Sequence, residues 1–219
     1  MNMQKVTMIS GLGLLALAGS AQAFVPWNNP NGNGAFFSWS NGGSDNGLFG
    51  SPLLVNGGNS FVFFPSNFRA ESVGGGADIV SDRLQVTLTA FQGFSFDQIL
   101  IQEFGDYGVV NGGSVSANMG MFVTNLNNFQ VATDNDTFSS NANGFGNWSA
   151  STQTLLSAWI PPANQIQIVL NNNLIAISNG QGSVAFIEKK VAGIIITVPT
   201  PGSLALVGLG GLVAARRRR

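Results

Sequence analysis

The chain has 219 residues, no cysteine and no histidine, with nine basic against ten acidic residues. Without His or Cys there is no Ser-His-Asp or Cys-His nucleophile system, no histidine zinc site and no thiolate metal site. So little charge, with no basic stripe, also makes a poor partner for phosphate backbones and excludes nucleic acid as the expected ligand.

Residues 1–23 read as a secretory signal peptide. Lys5 lies in a short charged region, Val6 to Ala18 is apolar, and Ala21-Gln22-Ala23 is a small-x-small site at which signal peptidase would leave Phe24 as the new N-terminus. Setting aside Lys5 and the four terminal arginines leaves Arg69, Arg83, Lys189 and Lys190 against all ten acids, so the body is near −6. Export would permit disulfides, but with no cysteine the body must be held by its core alone.

From residue 24 to 60, Asn-Gly pairs at 31, 33, 41, 46 and 56 punctuate short aromatic runs such as Phe36-Phe37-Ser38-Trp39. Asn and Gly tolerate positive φ, so each pair marks a tight turn between short strands. The aromatics are expected mainly in a core, with a binding platform as the other reading.

The strand pattern strengthens further along. Ser60 to Phe64 is an aromatic run ending at Pro65, and Leu84, Val86, Leu88 and Ala90 alternate with polar residues in the period of two that marks a half-buried strand. Phe94 to Phe104 offers Phe96, Ile99 and Ile101 as core positions, Asn111-Gly112-Gly113 a turn, and Ser114 to Thr124 another alternating strand. Asn125 to Trp148 reads as polar and turn-rich. Gln165 to Leu170 and Leu174 to Ser178 read as two strands flanking a connection at Asn171-Asn172-Asn173. Ser183 to Glu188 is followed by Lys189-Lys190 and a final aliphatic strand, Val191 to Val198, expected at a buried central position. No stretch of the body sustains a helical period. The expected fold is all-β: an antiparallel β-sandwich of jelly-roll type over residues 24–197, with a signal-peptide helix before it and a membrane helix after it. A β-helix is the lesser alternative.

Carboxylate chemistry is the catalysis that survives. A glycosidase needs two acids about 5–10 Å apart across a cleft. Glu71, Glu103 and Glu188 are the glutamates, and Asp97 or Asp106 would have to join Glu103. Surface carboxylates explain each more simply, and no catalytic residue is assigned. Gln102 to Tyr107, with two acids, a glycine and the sole tyrosine, is the most distinctive local sequence. No cofactor is required; calcium is the metal most compatible with the composition, and Asp134-Asn135-Asp136-Thr137 offers alternating oxygen ligands at Asp134 and Asp136. That run lacks the glycine and distal glutamate of an EF-hand loop, so a solvated turn is the competing reading; Asp78 and Asp82 are a weaker pair. Trp27, Trp39, Trp148 and Trp159 are candidates for stacking on polysaccharide, with Asn and Gln amides reading hydroxyls, unless they fill the core. Ice binding would need a regular Thr or Asn array, and Thr-x-Thr occurs only in isolated pairs such as Thr87 with Thr89.

The C-terminus is tripartite. Val198-Pro199-Thr200-Pro201 breaks the last strand, Leu204 to Ala215 is apolar, and Arg216, Arg217, Arg218 and Arg219 close the chain. As a helix, Gly202 to Ala215 would be about 20 Å long, short of a hydrocarbon core of about 30 Å. Arginine stems that carry their heads to the interface let it span, with the cluster on the cytoplasmic side and the body outside. These residues resemble the PEP-CTERM protein-sorting signal of exported bacterial proteins, a C-terminal family also labelled as an ice-binding protein C-terminal domain. Thr200 stands where that motif commonly has glutamate. The resemblance covers about the last two dozen residues. It implies recognition by an exosortase, a membrane cysteine peptidase, with the protein tethered in the membrane by its C-terminal helix until processed and then delivered to the cell surface or extracellular matrix. The expected role is structural or adhesive rather than enzymatic, with extracellular polysaccharide as partner. A carboxylate-dependent glycan-active enzyme is the alternative, and an ice-binding surface protein the lesser one.

Overall fold

A computed structural model of the chain describes residues 24–197. The expected signal-peptide cleavage residues Ala21 and Ala23, the Pro-x-Pro motif and the arginine cluster lie outside the described residues. Thirteen strands run through the body: β1 (Val25–Pro26), β2 (Gly32–Asn33), β3 (Phe37–Ser44), β4 (Leu53–Val55), β5 (Ser60–Phe63), β6 (Arg69–Val73), β7 (Gly76–Ala90), β8 (Gln98–Val110), β9 (Gly113–Asn125), β10 (Val131–Ser140), β11 (Gly144–Leu155), β12 (Gln165–Ser178) and β13 (Val184–Thr197). One turn of 3-10 helix, Asn56–Gly58, precedes β5.

The strands form two antiparallel sheets. The first has the order β1-β3-β7-β12-β9-β10, with β2 also on β3; the second has the order β11-β8-β13-β5-β4, with β6 also on β13. Strands β6 to β13 alone give the sheet orders β7-β12-β9-β10 and β6-β13-β8-β11, which is the double Greek key of a jelly roll. The all-β sandwich expected from alternation is therefore present. The aromatic N-terminal segment extends it with the short strands β1 to β5.

Alternation builds the core. Leu84, Val86 and Leu88 of β7, Ile166, Ile168, Leu170 and Leu174 of β12, and Val115 to Val123 of β9 face Ile99 and Ile101 of β8 and Ile187, Ala192 and Ile194 of β13. β13 changes the parity of its inward residues partway along. Ala185, Ile187 and Lys189 point in; a register shift between Lys189 and Val191 puts Lys190 at a bulge; then Ala192, Ile194 and Ile196 point in.

Two expectations change. Asn171-Asn172-Asn173 is not a connection but the middle of the continuous strand β12, because Asn172 has polar partners inside the sandwich and the alternation runs unbroken through it. Asn125 to Trp148 is not mainly turn: it holds all of β10, whose inward side carries Ala132, Asp134, Asp136 and Phe138, and the first residues of β11.

Candidate functional site

The outer face of the first sheet is lined with amides and hydroxyls. Register places Thr137, Asn118, Asn173 and Ser81 in one row across β10, β9, β12 and β7, and Asn135, Gly120, Asn171 and Arg83 in the next. The third row is Thr133, Phe122, Val169 and Gln85. The first two rows form the floor of a cleft of about 560 Å³, closed at one side by Asp45 and Asn46 from the segment after β3.

Gly120 gives the cleft its depth. A side chain there would meet nothing closer than the Phe122 ring, at 3.8 Å, so the space above Gly120 belongs to the cleft. Phe122, 42% exposed, stands in the next row, its ring beside Gly120. Arg83 is tied to Gln85 Oε1 at 3.0 Å and lies 3.9 Å from Asp45, so the cleft's one cation is matched by its neighbours. Asn118 accepts from Thr137 Oγ1 at 3.3 Å. Such a surface offers paired donors and acceptors beside a ring and carries little net charge.

Beneath this floor lies a buried polar cluster. Asn172 points inward between Asn171 and Asn173 and donates to Glu103 Oε1 at 2.9 Å. Lys189 Nζ lies 2.7 Å from the same oxygen and also donates to Asn172 Oδ1. The Lys189 and Glu103 side chains are 0% and 1% exposed. The rings of Phe49 and Phe68 each stand 4.6 Å from Nζ. Burial draws the Lys189 ammonium down to about 8, against the charge of Glu103, its hydrogen bond and the more distant charge of Asp82. Asp82 accepts from Ser44 Oγ and from the backbone N–H groups of Asn46, Leu48 and Arg83, which fixes the rim of the cleft to the core.

The candidates read from sequence separate. Trp27 and Trp148, 3% and 2% exposed, are core residues and present no ring face to a sugar. Trp148 Nε1 donates to the Glu188 carbonyl, and its ring fills the space above Gly105, where a Cβ would lie 2.5 Å from Nε1. Trp39 is half-buried edge-on to Phe61, and Trp159 is packed against the core. The four rings form no platform. The alternation of β9 turns Phe122 outward, but nothing local shows that its ring stands beside the open space over Gly120, which only register across the sheet reveals.

The acids separate too. Glu103 is the inward partner of Lys189 and lines no cleft, whereas Asp106, three residues along the same strand β8, faces outward from the second sheet. There it borders a depression of about 400 Å³ with Arg69, Phe145, Asn147, Phe186 and Glu188. Arg69 stacks on Phe186 at 4.1 Å and pairs with Glu71 and Glu188. Burial opposes the charge of Glu188, but Lys190 and Arg69 outweigh it and hold its carboxyl below the usual range. Asp134 and Asp136, the suggested calcium ligands, instead accept from the backbone N–H groups of Gln153 and Ser151, each at 2.8 Å. They join the edge of one sheet to the edge of the other. Among the described residues, no three His, Cys, Asp or Glu side chains converge as a metal cluster.

A scan of protein-family models and a search of curated proteins give no match. Among solved structures, a family 28 carbohydrate-binding module specific for non-crystalline cellulose aligns at 8% identity over 80% of this chain and 97% of its own, with a TM-score of 0.31. A family 61 carbohydrate-binding module in complex with β-1,4-galactotriose aligns at 11% identity, 76% and 94% coverage and a TM-score of 0.25. The infectious bursal disease virus Gx strain aligns at 10% identity, 78% and 50% coverage and a TM-score of 0.28. Scores of this size carry no argument about ligand or activity.

Proposed function

We propose that residues 24–197 form a non-catalytic binding module for neutral polysaccharide on an exported surface or matrix protein. The observation that supports the reading is the cleft over Gly120. Side-chain amides from β9, β10 and β12 converge there beside Phe122, with a single cation that is already matched. Amides and hydroxyls placed in rows by strand register exchange hydrogen bonds with sugar hydroxyls, and the ring covers an apolar sugar face. A charged substrate would find little to pair with. Titration calorimetry of the purified protein against soluble glucans, galactans, xylans and mannans tests the reading. Binding that is insensitive to chelator and to moderate salt is expected for at least one of them, and silence across the panel removes the proposal.

The export half rests on the sequence. The signal peptide, signal-peptidase site and tripartite C-terminus support handling by an exosortase and delivery to the outside. Deleting Arg216 to Arg219 is expected to leave the protein unprocessed or misplaced in cell fractionation. An unchanged surface distribution would sink the sorting role while leaving the cleft untouched.

A further inference from the structure

We propose that Lys189 and Asn172 react with each other to form an amide bond between their side chains, with Glu103 carrying the protons, so that the two sheets become covalently joined through the core. Asn172 stands in the middle of β12 in the first sheet, and Lys189 faces it from β13 in the second, 17 residues later.

The atoms are arranged for that reaction. Lys189 Nζ touches Asn172 Oδ1, one bond from the carbonyl carbon it would attack. The Asn172 nitrogen that would leave already donates to Glu103 Oε1, the oxygen that also receives Nζ. One carboxylate therefore bridges the entering and departing nitrogens, as a proton carrier must. Holding both reactants together inside a rigid sandwich replaces a bimolecular encounter, which is where most of the barrier to acylating an amine with an unactivated amide would be lowered.

The surroundings favour the amine. Phe49 and Phe68 flank Nζ, and the pair is closed off from solvent, so the ammonium loses hydration and the free amine becomes accessible near neutral pH. Glu103 Oε2 makes no hydrogen bond to protein among the described residues, which leaves it open to hold a proton in transit.

The step balances without oxidant or cofactor. Glu103 takes a proton from the Lys189 ammonium, and the amine lone pair forms the Nζ–Cγ bond while the carbonyl pair moves to Oδ1. A second proton leaves Nζ, the Cγ–Nδ2 bond breaks as the carbonyl re-forms, and Nδ2 departs with both protons as ammonium. Glu103 ends as the carboxylate it began as. A buried cation is exchanged for a neutral amide.

Mass spectrometry of the full-length protein tests the proposal. No Lys or Arg lies between Arg83 and Lys189, so trypsin alone leaves both residues in one peptide; cleavage at Glu188 by a glutamyl endopeptidase separates them. The expected result is a pair of peptides, one containing Asn172 and the other beginning at Lys189, that stay joined after denaturation and together weigh about 17 Da less than their sum, the mass of ammonia. Separate peptides from folded protein would overturn the proposal. So would a loss of ammonia that maps to an Asn-Gly cyclisation with the two peptides apart. Lys189→Arg and Asn172→Ala should each abolish the joined species. Glu103→Ala should abolish it in whatever fraction remains folded by circular dichroism; persistence of the bond there would overturn the role of Glu103.

Discussion

Asp136 of β10 accepts the backbone N–H of Ser151 of β11 at 2.8 Å, although the two strands belong to different sheets. Asp134 does the same for Gln153 two residues along. Side-chain carboxylates thus satisfy N–H groups that an edge strand would otherwise expose, and the sandwich is closed along this seam. Beneath it Phe138 packs on Tyr107 and Trp148. Asp136→Ala and Asp134→Ala should each cost about 1–3 kcal/mol in urea unfolding. Hydrogen exchange at Ser151 and Gln153 should accelerate in the matching variant, and unchanged protection at those two amides would refute the seam.

The cleft can be filled without disturbing the fold. Gly120→Leu places a side chain in open space beside Phe122 and should weaken polysaccharide binding by about tenfold or more, at a melting temperature close to that of the parent. Phe122→Ala and Asn171→Ala should each weaken it by a smaller factor. Trp148→Ala should behave in the opposite way: it destabilises by about 3–5 kcal/mol, as expected for a buried indole, and leaves the affinity of the folded fraction intact. Calorimetry and thermal unfolding on the same samples separate the two effects.

Glu103 and Lys189 depend on each other. In the Asn172→Ala background, where no side-chain amide forms, Glu103→Ala strands a buried ammonium and should cost about 3–5 kcal/mol, whereas replacing the pair together, Glu103→Leu with Lys189→Met, should recover most of that loss. Urea titrations of the single and joint variants measure the difference. Equal losses in both would mean that shape, not charge, dominates this part of the core.

The pH response carries a sign. In Asn172→Ala, which cannot form the side-chain amide, Lys189 still faces Glu103 from β8 and Asp82 from β7. With its folded value drawn down to about 8 and its ordinary value at 10.5, the unfolded chain binds the extra proton between those limits. Stability from this group should therefore rise as pH climbs through that window and be flat below it. The parent protein, with Lys189 already acylated, should lack the rise. Unfolding midpoints from pH 7 to 11 decide the matter.

Much of the fold was legible because alternation is a direct imprint of a half-buried strand. Leu84 to Ala90 marked β7, and Ser114 to Thr124 marked β9. The reading failed where a polar side chain takes an inward position for a reason that lies far away in sequence. Asn172 breaks the apolar pattern of β12 because its partners come from β8 and β13. Asp134 and Asp136 break that of β10 because they serve the backbone of β11. The cleft was illegible for a related cause: its residues come from four strands and converge only through register. Lys189 and Lys190 read as a break before a final strand; the bulge that sends one in and the other out within a continuous β13 leaves no local signature.

The position of the bulge in β13 has a mechanical meaning. Residues 192–195 are held by β5 and residues 184–188 by β6, and Lys189 stands at the gap between those two sets of pairs. A pull on β13 from beyond Thr197 would unzip the first set and then arrive at Lys189. With the side-chain amide in place, tension passes there into the centre of the opposite sheet, and the rest of the body stays wound while the yielding segment acts as a short extensible leash.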